Sequence, residues 1–218
     1  MTSHQIFALI EGTGKTLALT LISMVIGTIF ALIISLGRIS KSKILNKITW
    51  VYVWIFRGTP LLLQILIVFL AVPMMAVELF DLTIRYSPFI AAIIALTLNT
   101  AAYLAEIFRA GILSIDKGQM EASRALGLSS KEAMFKVIIP QTISRVIPPY
   151  SNEFIMILKD SSLVSAIGMS ELYKVTKEMS SASGDWRVLF IAAAVYLFLT
   201  TLSTFLFSKI EEKYSSYL

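Results

Sequence analysis

The chain has no cysteine and a single histidine, His4, among its 218 residues. Without cysteine there is no disulfide, no thiolate metal site and no thiol nucleophile. A hydrolase would need a Ser–His pair or a set of metal ligands, and one histidine near the N-terminus, read as a surface residue, supplies neither. Charge is also scarce. Only 15% of residues are Asp, Glu, Lys or Arg, against 56% hydrophobic. A soluble domain carries about a quarter charged residues, so residues 1–218 read as one domain embedded in a lipid bilayer. The formal net charge of +5 then points to basic cytoplasmic loops rather than to nucleic acid. Long internal repeats and low-complexity tracts are absent as well.

What is present is a series of apolar runs. Thr16 to Gly37 is uncharged and long enough to span a bilayer, which takes about 20 residues. Met1 to Lys15 before it reads as a polar segment outside the bilayer, not as a secretory signal. Arg38, Lys41, Lys43 and Lys47 follow at once, which places that loop in the cytoplasm and the N-terminus outside. Ile48 to Phe56 reads as an interfacial or tilted helix. Thr59 is expected as an N-cap with Pro60 at the first helical position, opening a span over residues 60–77. A third span covers 88–108. A fourth, 137–158, is expected to be broken by Pro140, Pro148 and Pro149, and irregular backbone at membrane depth belongs beside protein or a water-filled path. Glu171 to Trp186 reads as external, and a fifth span covers 188–208. Most of the 19 lysines and arginines, Lys209 and Lys213 among them, fall on the inner side of this topology. The expected fold is an all-α integral membrane protein with five transmembrane helices, N-terminus outside and C-terminus inside.

Gly12-Thr13-Gly14-Lys15-Thr16 imitates part of a phosphate-binding loop. The full pattern needs a glycine at position 9, where Leu9 stands, and a preceding strand. Nucleotide hydrolysis is therefore expected on another chain.

The least membrane-like stretch, residues 117–136, lies between the third and fourth spans. Good helix formers run from Gln119 to Leu126, and Gly127 stands where a helix can stop in the left-handed conformation. Ser129 and Glu132 then have capping-box spacing. This predicts a helix–turn–helix projection, fit either to dock on a soluble partner or merely to join two spans.

Glu121-Ala122-Ser123, then Gly127, then Val137, Ile139 and Pro140 resemble the EAA loop of bacterial ATP-binding-cassette (ABC) importer permeases. Ser replaces the third Ala, Val an Ile, and Ile a Leu. In that family the loop is the coupling helix that docks on the ATPase subunit. The resemblance makes Glu121, Ala122, Ser123, Ala125, Leu126, Gly127 and Leu128 the candidate ATPase-coupling residues. Three further stretches resemble the branch for polar amino acids such as histidine, glutamine and arginine: Arg57 to Gln64 (RGTPLLLQ), Asn99 to Gly111 (NTAAYLAEIFRAG) and Asn152 to Leu163. Together the four cover most of residues 12–210.

The resemblance implies a MetI-like permease fold in a bacterial plasma (inner) membrane. It implies a second permease chain, identical or paralogous, two ABC ATPase subunits that hold ATP and Mg, and an extracytoplasmic amino-acid-binding protein. This chain itself would hold no cofactor and no metal, and would not be an enzyme.

Charges at membrane depth are costly and usually functional. Glu153, Lys159 and Asp160 are therefore candidate substrate ligands, with an internal ion pair to Lys159 as the structural alternative. Ser161 or Ser162 is expected to cap a half-helix from Leu163 to Met169, whose amide end could receive a carboxylate. Asn99 and Tyr103, one turn apart, could glue helices together or line the path. Arg57 is either an interfacial anchor or a transport residue, and Glu106 with Arg109 either a local salt bridge or part of the path. Two carboxylates against one lysine favour a cationic amino acid. The rival function is an ion-coupled secondary transporter, which broken helices and buried carboxylates would also suit, but which has no soluble motor for a projecting loop to grip.

Overall fold

A computed structural model describes residues 2–214, and these are helical nearly throughout. The ten α-helices are α1 Ser3–Ile39, α2 Lys43–Gly58, α3 Leu61–Leu66, α4 Val72–Phe80, α5 Pro88–Leu113, α6 Lys117–Ala125, α7 Ser130–Ala133, α8 Ile139–Asp160, α9 Leu172–Ser183 and α10 Val188–Tyr214. Four stretches are long and apolar enough to cross a membrane: Ser3–Ile39, Leu61–Phe80, Pro88–Leu113 and Val188–Tyr214. The third is the most buried of them.

α1 starts earlier than its uncharged run suggests. Thr2 caps it through a box with Gln5, each side chain bonding the other's backbone amide. The segment expected to lie apart from the first span is thus its first three turns. The reason is visible in the packing: Gly12 and Thr16 are buried, and a Cβ at Gly12 would meet Leu172 Cα at 3.2 Å. Further along, small residues on α1 let α5 approach closely. A Cβ at Gly27 would stand 2.9 Å from Thr100 Cγ2. The α5 face turned inward is rich in alanine, with Ala91, Ala92, Ala95, Ala101, Ala102 and Ala105 fully buried.

α2 runs back alongside α1. Asn46 Nδ2 donates to Arg38 O at 2.5 Å, and Tyr52 Oη donates to Leu98 O at 2.7 Å on α5. The break at residues 58–60 therefore lies level with the middle of α5. α3 and α4 are joined by a π turn, Ile67–Ala71, and α7 and α8 by another, Met134–Ile138. In each case a proline follows two residues after the π turn, Pro73 and Pro140. A proline has no N–H and its ring crowds the carbonyl four residues back. Widening the preceding turn to i→i+5 bonding relieves that crowding without ending the helix.

Three expectations are corrected here. Thr59 does not cap α3: the cap position is Pro60, with no side-chain cap bond, and Thr59 Oγ1 donates back to Ile55 O at 2.8 Å. α8 is unbroken from Ile139 to Asp160 with Pro148 and Pro149 inside it, so the irregular backbone lies before and after it rather than within. The half-helix is absent. Ser161–Ile167 is a 3-10 segment that continues directly from α8, its cap position Asp160 still right-handed helical and without a side-chain cap bond. A continuous helix has no free amide end, so the expected anion seat does not form. The polar stretch after Gly168 is a further helix, α9, packed on α1 and α10. Glu171 caps it, accepting from Tyr173 N at 2.8 Å and Lys174 N at 2.7 Å, while Tyr196 Oη of α10 donates to it at 3.0 Å.

Candidate functional site

The corner between α2 and α3 explains the RGTPLLLQ stretch. In a continuous helix the carbonyl of Phe56 would accept from the N–H of residue 60, and Pro60 has none. The side chain of Gln64 supplies the missing donor: its Nε2 reaches Phe56 O at 2.9 Å, Thr59 O at 3.1 Å and Thr59 Oγ1 at 2.9 Å. Gln64 Oε1 in turn accepts from Asn99 Nδ2 at 2.9 Å, and Asn99 Nδ2 also lies 3.3 Å from Phe56 O. Gln64 and Asn99 are both buried. Asn99 thus joins α5 to the corner, and its amide nitrogen is engaged by protein on both contacts. Its sequence partner Tyr103 serves a different neighbour, with the Arg57 guanidinium carbon 5.1 Å from its ring centroid.

One turn further along α5, Glu106 holds two arginines. Arg38 Nε of α1 lies 2.9 Å from Oε1, and Arg109 Nη2 lies 2.8 Å from Oε2. The local bridge to Arg109 was legible from the spacing; Arg38, distant in sequence, was not. Arg38, Arg57, Tyr103 and Glu106 line a cleft of about 410 Å³ with Trp50 and Trp54. Arg57, Tyr103 and Glu106 also line an adjoining one of about 540 Å³, with Arg145 and Pro149 of α8. Arg145 donates to Ser114 O.

On α8, Tyr150 is held by Thr28 of α1 at 3.0 Å between the two hydroxyls. Glu153 is 5% exposed, yet it makes no hydrogen bond or ion pair with any described residue. Asp160 and Arg57 are the charged groups whose fields reach it. Glu153 and Asp160 are seven residues apart, hence on one helix face. Lys159 is exposed and pairs with neither carboxylate, so the ion pair that was the structural alternative is not formed. Ser161 Oγ donates to Leu158 O at 2.7 Å, and Leu163 packs against the main apolar core. The structure thus sets Glu153 and Asp160 on one side of α8 and Tyr103 beside Arg57, while Asn99 and Ser161 bond to neighbouring protein groups and Lys159 is exposed. Arg57, Gln64 and Arg145 line or brace this region, and the spacing of Pro60 four residues after Phe56 was the signal for Gln64.

The projection follows its sequence closely. Asp116 caps α6, accepting from Gly118 N. At the far end Gly127 N bonds Arg124 O at 3.0 Å and Leu128 N bonds Ser123 O at 3.1 Å, the paired closure of a Schellman turn. Gly127 has φ +89°. The box between Ser129 and Glu132 closes with bonds of 3.0 and 3.2 Å. Ser123 turns inward, its hydroxyl on Gln119 O at 2.6 Å. Glu121, Ala122, Ala125 and Gly127 are exposed, Leu128 is half-buried, and Leu126 is 85% exposed.

Comparison with known proteins agrees with this architecture. The family model described as "Binding-protein-dependent transport system inner membrane component" matches residues 23–215. The L-cystine transport system permease protein TcyB of Bacillus subtilis is 40% identical over 94% of this chain and 86% of its own. The arginine transport system permease protein ArtQ of the same organism is 36% identical over 99% and 96%. The glutamine transport system permease protein GlnP of Escherichia coli is 36% identical over 94% and 92%. A crystal structure of an amino acid ABC transporter with histidines contains a chain 37% identical, with a TM-score of 0.83 and 94% of each chain covered. An inward-facing methionine ABC transporter, at 22% identity and a TM-score of 0.78, shares the fold. With its buried polar corner, its projecting turn and these relatives, the chain belongs to the binding-protein-dependent transport system inner membrane component family, as an amino acid ABC importer permease.

Proposed function

We propose that this chain is the transmembrane subunit of an ATP-driven importer for a polar, and specifically a basic, amino acid in a bacterial plasma membrane. The observation that carries the substrate reading is Glu153, a carboxylate 5% exposed with no hydrogen-bonding or ion-pairing partner among the described residues. A buried charge without a partner is expensive, and a cationic ligand would relieve that cost. Asp160, on the same face, would add to the attraction, at an energy that a low dielectric raises. Relatives whose names carry arginine, glutamine and cystine are about equally similar to this chain, so the carboxylates support the cationic choice, not the relatives.

In this reading α8 makes a fifth crossing, the N-terminus lies outside and the C-terminus inside, and residues 117–136 face the cytoplasm. Glu121 to Leu128 dock on one of two ATPase subunits, which hold ATP and Mg, with Leu126 as the apolar contact. A second permease chain, identical or paralogous, completes the path on a two-fold or pseudo-two-fold axis, and a binding protein delivers the amino acid from outside. The projecting turn and the family membership both weigh against an ion-coupled carrier.

The test compares Glu153→Gln and Asp160→Asn with the parent complex, offering arginine and glutamine in competition. Loss of arginine uptake with glutamine retained supports the reading. Parent-like arginine transport by both variants makes the carboxylates structural.

A further inference from the structure

The two clefts beside Tyr103 are lined by three guanidiniums, those of Arg38, Arg57 and Arg145, and by the carboxylate of Glu106. Arg38 and Arg109 are both spent on Glu106, at 2.9 and 2.8 Å. Arg145 is turned to the carbonyl of Ser114. Arg57 makes no ion pair or hydrogen bond among the described residues, and its guanidinium carbon lies 5.1 Å from the Tyr103 ring centroid. It is also the residue that both clefts share with Tyr103 and Glu106.

We propose that Arg57 receives the α-carboxylate of the transported amino acid, in the cavity that Tyr103, Glu106 and Arg145 also line. The inference rests on the pathway reading above and replaces the carboxylate seat that the unbroken run from α8 into residues 161–167 removes. Four observations converge on it. Arg57's planar fork of donors matches a carboxylate's two oxygens. The Tyr103 ring centroid lies 5.1 Å from the guanidinium carbon, a contact that restrains the side chain and lowers the cost of ordering it on binding. The cavity of about 540 Å³ has room for a free amino acid. Of the arginines that line the two clefts, Arg38 is bound to Glu106 and Arg145 to Ser114 O, which leaves Arg57 without a hydrogen-bond or ion-pair partner among the described residues. Lys159, the cation expected beside the carboxylate seat, lines neither cleft, whereas Arg57, exposed like Lys159, lines both. Since every α-amino acid carries the carboxylate, Arg57's role holds whichever side chain is transported.

The experiment uses the whole purified complex in nanodiscs. Radiolabelled arginine, glutamine and cystine are offered in turn, and each is competed with its own α-carboxamide, which lacks the anion. For whichever amino acid the parent binds, a preference for the acid of tenfold or more is expected. Arg57→Gln should abolish that preference by weakening the acid at least tenfold while leaving the amide unchanged. Arg57→Lys should restore part of it, with the melting temperature unaltered throughout. An intact preference in Arg57→Gln overturns the proposal, as does an equal loss for acid and amide. Unchanged amino acid binding with altered co-purification of anionic phospholipid would assign Arg57 to a headgroup instead. If Glu153→Gln binds like the parent while Arg57→Gln loses the acid, the cation half of the pathway reading fails and the carboxylate half stands. If the parent binds none of the three saturably, both fall.

Discussion

Arg38 near the end of α1 and Glu106 near the end of α5 are 68 residues apart in sequence and 2.9 Å apart in space. Their side chains are 13% and 15% exposed, and the second oxygen of Glu106 is taken by Arg109. This pair ties the last turn of α1 to the C-terminal third of α5, the two most intimately packed helices. Removing one partner of a partly buried pair leaves the other charge less well compensated. Glu106→Gln leaves two guanidiniums so, and Arg38→Gln leaves Glu106 still bridged to Arg109. The loss of thermal stability in detergent should therefore be larger for Glu106→Gln. Equal losses, or none, would show that the triad does not brace the helices.

Gly127 tests the coupling turn. A Cβ there would meet nothing within 4 Å, but φ is +89°. The penalty for another residue comes from the backbone, about 1–2 kcal/mol, and not from crowding. Gly127→Val should stay in the membrane yet lose substrate-stimulated ATP hydrolysis and uptake. Gly127→Asn, which tolerates the left-handed region, should keep most of both. Normal uptake by the valine variant would remove the turn from the coupling path.

Glu132 gives the projection a pH dependence. Its hydrogen bonds from the Ser129 side chain and backbone, then the charge of Lys136, hold its carboxyl below the usual range. A lowered folded value means its contribution is fully present above the ordinary glutamate pKa and is lost as pH falls through the lowered one. The turn should be equally ordered from neutral pH to mildly acid conditions and loosen only below that. Because the chain has no cysteine, Lys131→Cys offers a single site for a spin label. Label mobility rising near neutrality would contradict the assignment. Glu132→Gln, able to keep the box, should flatten the acid response.

Asn99 separates a braced corner from a ligand contact. Asn99→Leu would leave Gln64 Oε1 buried without a donor, and an orphaned buried acceptor costs about 1–3 kcal/mol. The expected result is lower stability with uptake of every substrate reduced in the same proportion. A change confined to one substrate, with stability intact, would return Asn99 to the binding site.

Much of this protein follows from local chemistry. Uncharged runs set the four apolar helices because a bilayer leaves the backbone no partner but itself. Gly127, Ser129 and Glu132 set the projecting turn because a positive φ and a capping box are properties of neighbouring residues. What lies far apart in the chain was decided by packing. Buried Gly12 and Thr16 draw the polar beginning of α1 into the helix. Pro148 and Pro149 read as breaks, yet α8 stays continuous while its neighbours absorb the irregularity as a π turn before it and a 3-10 segment after it. The carboxylate of Glu106 finds Arg38 only when α1 and α5 come together. Arg57 and Lys159 are both cations in the last turn of a helix, α2 and α8, and composition cannot rank them. The packing of α2 on α5 sets Arg57 beside Tyr103, while the turn of α8 carries Lys159 away, because a helix distributes its residues around an axis and only the neighbours of that axis decide which face is inside.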